Sequence, residues 1–223
     1  MKYIIILLLA ISHSYIYSYT SKEINDFYNN YYSSDYDIKN IETNFSQTYQ
    51  NLYFLIQSKT IEDEKEKYNY LKDAINKNND YEKSDDIDYL ISVSELMNYI
   101  MYYCNVPEKI TFGSKSKDIY KTILEKDEKN FFALLGTAIG YMHAPAIAGG
   151  SSKKAFQYFN KALMNAKEKY QKYLSYVWLS QYYFKIKDDE NYIKYIKMSK
   201  DIYANGFLLE YAMDRNLNYK KTL

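Results

Sequence analysis

Residues 130–163 constrain the fold more than any other part of the chain. Leu134, Leu135, Ala138, Tyr141 and Met142 recur at spacings of three and four, the signature of one helical face. Gly136 and Ala138 lack bulk, so a neighbouring helix can come close. Pro145 removes a backbone donor and biases the residue before it toward extended geometry, which ends the helix near His143. Gly149 and Gly150 permit positive φ, and Ser151 is placed to cap the next helix. Ala155, Phe156, Phe159, Ala162 and Leu163 then form a second apolar stripe. The expectation is two packed helices joined by a loop of Pro145, Gly149, Gly150 and Ser151.

The rest of the chain favours the same architecture. Only 2 prolines and 6 glycines interrupt 223 residues, and 47% of the residues are hydrophobic. So few breakers favour long helices over many short strands, and the length suffices for a sizeable core. Apolar residues recur at helical spacing over residues 38–57, with Phe45, Leu52 and Ile56 on one face, and over residues 61–77, with Tyr68, Leu71 and Ile75. Asp85 or Asp86 can cap a further helix running to about Cys104 with Leu90, Val93, Leu96, Met97 and Ile100 inward. Residues 105–112 with Pro107 read as a loop, and residues 114–126 as a helix. Gly206 opens a last helix to about Tyr219. The fold class is all-α, built from antiparallel helix hairpins.

Residues 1–18 have the form of a secretory signal: Lys2 gives a positive start, and Ile4 to Ile11 is an apolar run too short to span a bilayer. The division is then a signal at 1–18, an extension at 19–37 holding a short helix over residues 23–32, and a helical domain at 38–223. Localisation is exported, periplasmic or secreted, or alternatively tethered by an uncleaved N-terminal segment, with no membrane span once the signal is removed. Cys104 is the only cysteine, so no internal disulfide can form; it reads as a buried small hydrophobe.

The 30 tyrosines stand out. An AT-rich genome enriches Tyr, Asn, Lys and Ile together; a Tyr-rich contact surface is the functional reading. Net charge is +1, with 29 basic and 28 acidic residues interleaved, which lacks the electrostatic footprint of a nucleic-acid binder. His143 has no Cys or His at metal spacing, and His13 lies in the leader. Gly149-Gly150-Ser151-Ser152-Lys153-Lys154 reads as a structural turn, with an anion cradle as its functional alternative. No catalytic, cofactor-binding or metal-ligating set emerges, and an enzyme is not expected.

The residues of the helix pair resemble a tetratricopeptide (TPR) repeat. Leu134, Thr137, Ala138 and Tyr141 fall at the first-helix spacings of that family, and Ala155, Phe159 and Ala162 at the second-helix spacings. Thr137 departs from the expected Leu. Tyr141 to Ala155 is 14 positions where the family has about 9, within a period of about 34. Ser116, Tyr120 and Ile123 fit an earlier second helix, with Glu128 in place of the usual Pro. Tyr176, Leu179, Ser180 and Tyr183, then Tyr192, Ile196 and Ser199, fit a degenerate later unit. The Pro…Gly-Gly-Ser insertion resembles that of bacterial TPR-like proteins, including helical proteins associated with TRAP-type transporters.

That resemblance implies a short right-handed α-solenoid whose inner groove is lined by first-helix residues. Carried over position by position, these are Phe132, Leu135, Ile139 and Met142, then Leu174, Val177, Gln181 and Phe184. The row is nearly all apolar. If open, it is a groove for a protein partner or an apolar small molecule; otherwise the N-terminal helices or a C-terminal cap cover it. The implied function is a non-enzymatic extracytoplasmic scaffold for protein–protein interaction. The alternative is a transporter-associated accessory protein binding an apolar small molecule.

Overall fold

The structure, a computed structural model, describes residues 21–33 and 46–223. The expected leader with His13, and residues 38–45 of the helix expected from Ile38, lie outside the described residues. Among those described there are ten α-helices and no strand. They are α1 (Ser21–Ser33), α2 (Gln47–Thr60), α3 (Glu64–Asn76), α4 (Ile87–Ile100) and α5 (Val106–Lys126). Next come α6 (Phe131–His143), α7 (Ser152–Asn165), α8 (Lys169–Ile186), α9 (Asp189–Ile202) and α10 (Phe207–Tyr219).

Short polar side chains set most of the starts. Asp63, Asp86, Asn105, Asn130, Ser151 and Asp188 each accept a hydrogen bond from the backbone N–H three residues on. That bond satisfies one of the donors a helix start leaves orphaned, and its loss typically costs about 1 kcal/mol. At α8 the Gln171 Oε1 accepts from the N–H groups of Lys167 and Glu168 instead.

Residues 105–112, expected as a loop around Pro107, are the first turns of α5. Asn105 caps them through Glu108 N–H at 3.0 Å, and Pro107 sits in the first turn, where its missing donor is no loss. The same chemistry that reads as a loop signal is here a helix-start signal. Likewise α4 stops at Ile100, with Tyr102 and Tyr103 closing a turn onto Tyr99 O and Ile100 O.

Consecutive helices pack on one another: α4 on α5, α6 on α7, α8 on α9, with α5 against α6 and α7 against α8. Ala133, Ala138, Ala155, Phe159 and Ala162 are fully buried, so the expected stripes of α6 and α7 face each other and the core. Small residues here permit close approach. A Cβ on Gly136 would stand 2.2 Å from the Tyr120 ring of α5.

The loop between α6 and α7 uses its two central glycines differently. Gly149 adopts φ 86°, the left-handed region that a side chain resists. Gly150 does not; a Cβ there would lie 1.8 Å from the Ala144 carbonyl oxygen. The loop closes on itself, Gly150 N–H donating to Pro145 O and Ser151 N–H to Tyr141 O, both at 3.0 Å.

Two polar clusters pin the ends of the fold. Asn51 of α2 donates to Asn78 Oδ1 and Ser92 Oγ, and Asn78 donates back to Asn51 Oδ1 at 2.9 Å. At the other end Gln181 of α8 and Asn216 of α10 exchange two amide hydrogen bonds, each 2.9 Å. Buried amides so paired fix one register rather than adding much net stability.

Candidate functional site

The amino-terminal helix α1 lies against residues contributed by α2, α4, α6, α8 and α10. Its buried side chains are Phe27, Tyr28 and Tyr32. The Tyr28 ring lies 5.0 Å from Phe132 of α6 and stacks 5.1 Å from Tyr170 of α8. Tyr32 meets Tyr173 of α8 at 6.1 Å and stacks on Phe207 of α10 at 5.8 Å with 7° between planes. Phe27 sits edge-on to Tyr49 of α2. Such geometries suit the ring quadrupole, adding roughly 0.5–1.5 kcal/mol each beyond burial.

Polar contacts fix the position of α1 along this aromatic seam. Tyr28 Oη donates to Glu95 Oε2 of α4 at 3.1 Å. Tyr170 Oη donates to Asn25 Oδ1 at 3.0 Å, and Tyr203 Oη to Asn29 Oδ1 at 2.7 Å. The Lys59 ammonium, at the end of α2, lies 4.1 Å from the Tyr31 ring centroid and 3.8 Å from that of Phe207. A cation between two ring faces ties α2, α1 and α10 at one point.

The two charges here are strongly perturbed. Burial pushes the Glu95 carboxyl up to about 7, against the Tyr28 hydrogen bond and the Lys59 charge. Burial of the Lys59 ammonium under the rings lowers it to about 7, partly offset by Glu95, although much of the rest of that side chain is exposed. Desolvation, which disfavours whichever form is charged, is the common cause. Burial first, then Glu95, raises Tyr28 well above its usual value, so the phenol stays a donor.

The expected inner row is distributed around this seam. Phe132 is half-buried between Tyr28 and Tyr170. Leu135 and Met142 are buried and Ile139 is half-buried, while the Met142 carbonyl accepts from Lys185 Nζ. Leu174, Val177 and Gln181 are buried; Gln181 is engaged by Asn216 of α10 and by the Leu223 N–H. Phe184 turns to Tyr192 of α9 at 5.5 Å. Thus α1 meets the row at Phe132, and α10 meets it at Gln181.

The other candidates sit apart from the seam. His143 ends α6 and presents an edge contact to Trp178 at 6.2 Å. Burial, then the charges of Lys185 and Arg215, hold its pKa below the ordinary histidine range. Among the described residues no three His, Cys, Asp or Glu side chains converge as a metal site would require. In the glycine loop the N–H groups of Ala148, Gly149, Gly150 and Ser151 all donate to carbonyls of the chain itself, leaving none of these four for an anion. Cys104 is buried, and burial raises its thiol pKa. No helix among the described residues is long and apolar enough to cross a membrane.

Sequence reasoning missed Glu95, Lys59, Tyr170 and the binding face of α1. Two signals pointed to the α1 face and to Glu95. Asn25, Tyr28, Asn29 and Tyr32 follow the i, i+3, i+4, i+7 pattern, and Glu95 is a lone carboxylate among Val93, Leu96 and Met97. Neither signal says which distant residue it meets.

No known family model matches the chain, and no curated protein or solved structure is significantly similar to it. Fold and geometry therefore define the class, an all-α protein with an aromatic, hydrogen-bonding seam that holds a helix.

Proposed function

We propose that the chain is a non-enzymatic TPR-like protein, its helix hairpins stacked as a short right-handed solenoid, that works outside the cytoplasm as a protein-interaction scaffold. The observation that carries this reading is α1 itself. The seam of Glu95, Phe132, Tyr170 and Phe207 already holds an amphipathic helix by aromatic stacking and single hydrogen bonds. Helix-in-seam recognition of this kind is a common mode of peptide binding. Tyrosine suits it because a rigid ring and a hydroxyl supply contact area and a directional bond together.

The resemblance to TPR repeats supports the stacked arrangement, as do the caps and glycines at the expected turns. A polypeptide takes precedence over an apolar small molecule as the ligand. Leu135, Met142, Leu174 and Val177, which would line a lipophilic pocket, are buried against protein. The apolar leader supports the exported address.

Native mass spectrometry of the protein gently purified from its source tests the reading. A co-purifying polypeptide, lost in a Glu95→Ala/Tyr170→Ala variant that melts cooperatively, is the expected result. A co-purifying lipid or small acid would favour the transporter-accessory alternative, and neither species would count against both.

A further inference from the structure

The helix that fills the seam is built poorly as a helix. α1 has thirteen residues, among them Asn25, Asn29 and Asn30, Asp26, and three tyrosines. These residue types rank low in intrinsic helix propensity, and even alanine-rich helices shorter than about 12–15 residues are marginal alone in water. Its helicity therefore comes from the seam. What the seam supplies is specific. Asn25, Tyr28, Asn29 and Tyr32 lie on one stripe, and each meets a partner far along the chain, 145 positions away for Asn25, 67 for Tyr28 and 174 for Asn29.

A segment that is helical only when docked is held by a docking equilibrium, and a competitor with equivalent contacts shifts that equilibrium. We propose that α1 is an intramolecular, exchangeable occupant of the seam, and that the seam's external ligand is an amphipathic helix carrying the same stripe. That stripe is two tyrosines one turn apart, each preceded three residues earlier by an amide side chain. The inference rests on the helix-binding function proposed above and specifies its ligand. One tyrosine would present its hydroxyl to Glu95 and its ring to Phe132 and Tyr170. The other would stack on Phe207. The amides would accept from the Tyr170 and Tyr203 hydroxyls. A tethered occupant acts at an effective concentration in the millimolar range, so a free ligand of this class meets a site that is mostly filled.

The test uses a fluorescent synthetic peptide of residues 19–35 and the full chain, read by anisotropy. The native chain binds it weakly. A full-chain Tyr28→Ala/Tyr32→Ala variant, whose own helix competes poorly while the seam wall is intact, binds it at least about tenfold more tightly. Adding Glu95→Ala and Tyr170→Ala to that variant weakens the peptide again by at least about tenfold, in line with the loss of two hydrogen bonds and one stacked ring. A gentler Asn25→Ala/Asn29→Ala variant, which keeps every ring, raises affinity by a smaller factor and serves if the tyrosine variant fails to fold. Equal affinity for native and variant chains, or no binding to any, would overturn the proposal and make α1 a fixed part of the core. A species of twice the chain mass that exchanges α1 between copies would overturn the external ligand in favour of self-association. Peptide exchange with no co-purifying polypeptide would sink the scaffold function while the exchangeable site stands. Co-purification without exchange would sink the present inference alone.

Discussion

The α6–α7 pair and the α1 seam are both apolar contacts between helices, yet they are built by opposite means. The pair is apolar and rich in small residues. Ala133, Ala138, Ala155 and Ala162 disappear completely, and Gly136 leaves room for the Tyr120 ring. The seam is made of large rings, and the hydroxyls of Tyr28, Tyr170 and Tyr203 each donate to a side chain far along the chain. In the first, shape complementarity of neighbours in sequence sets the geometry. In the second, single directional bonds between residues far apart set it. A contact of the first kind opens only with the fold. A contact of the second kind gives up its hydrogen bonds at little net cost, because each is replaced by one to water, and only the burial of its rings holds it shut.

Substitutions that separate the two regions follow from this difference. Phe159→Ala, at a fully buried core position, should cost about 3–5 kcal/mol of global stability in urea unfolding. Gly150→Val should rank next, at more than about 3 kcal/mol, because its Cβ would have to occupy the space of the Ala144 carbonyl oxygen. Gly136→Ala should cost about 1–3 kcal/mol by forcing the Tyr120 ring aside. If these three changes instead loosened α1 selectively, the contrast between the regions would collapse.

A smaller, pH-dependent effect probes the seam. Burial raises the Glu95 carboxyl from 4.5 to about 7, so between those values the folded protein binds more protons than the unfolded chain. Stability from this group is fully present below 4.5 and is lost as pH rises through about 7. Glu95→Gln should therefore gain on the native protein as pH rises across that window, by on the order of 1 kcal/mol once partial exposure is allowed for. Lys59, lowered to about 7, has the opposite sign, its contribution being lost as pH falls toward 7. Because Glu95 helps hold the Lys59 charge, the comparison is read below pH 7, where the Lys59 window from about 7 to 10.5 does not enter. A flat difference across the window would mean the carboxyl is solvated, with α1 lifted off it. Ile147→Asp, at a 98% exposed position of the α6–α7 loop, should change stability by less than about 0.5 kcal/mol.

The same contrast explains what could be read from the sequence. The α6–α7 pair was legible because its signals are local: periodic small and apolar residues, a proline, two glycines and a capping serine within one short stretch. The ambiguity of Pro107 was also local, since a proline marks a helix start as readily as a loop, and only Asn105 before it decides. The seam was half legible. The resemblance to TPR repeats implied inner-face positions for Phe132, Leu135 and Leu174, but nothing nearby says that Tyr28 finds Glu95 or that Tyr203 finds Asn29. Those pairings exist only once the intervening helices have packed. The mass of tyrosine that an AT-rich composition would produce anyway also hid the few that carry the seam.

Amide hydrogen exchange on the full native chain distinguishes a detachable α1 from one fixed in the core. If α1 is detachable, it opens at a clearly lower free energy than α6, α7 and α8, and Tyr28→Ala speeds exchange in α1 while leaving α6 and α7 unchanged. Exchange of α1 at the same slow, global rate as α6 and α7, with all three accelerated together by Tyr28→Ala, would contradict it.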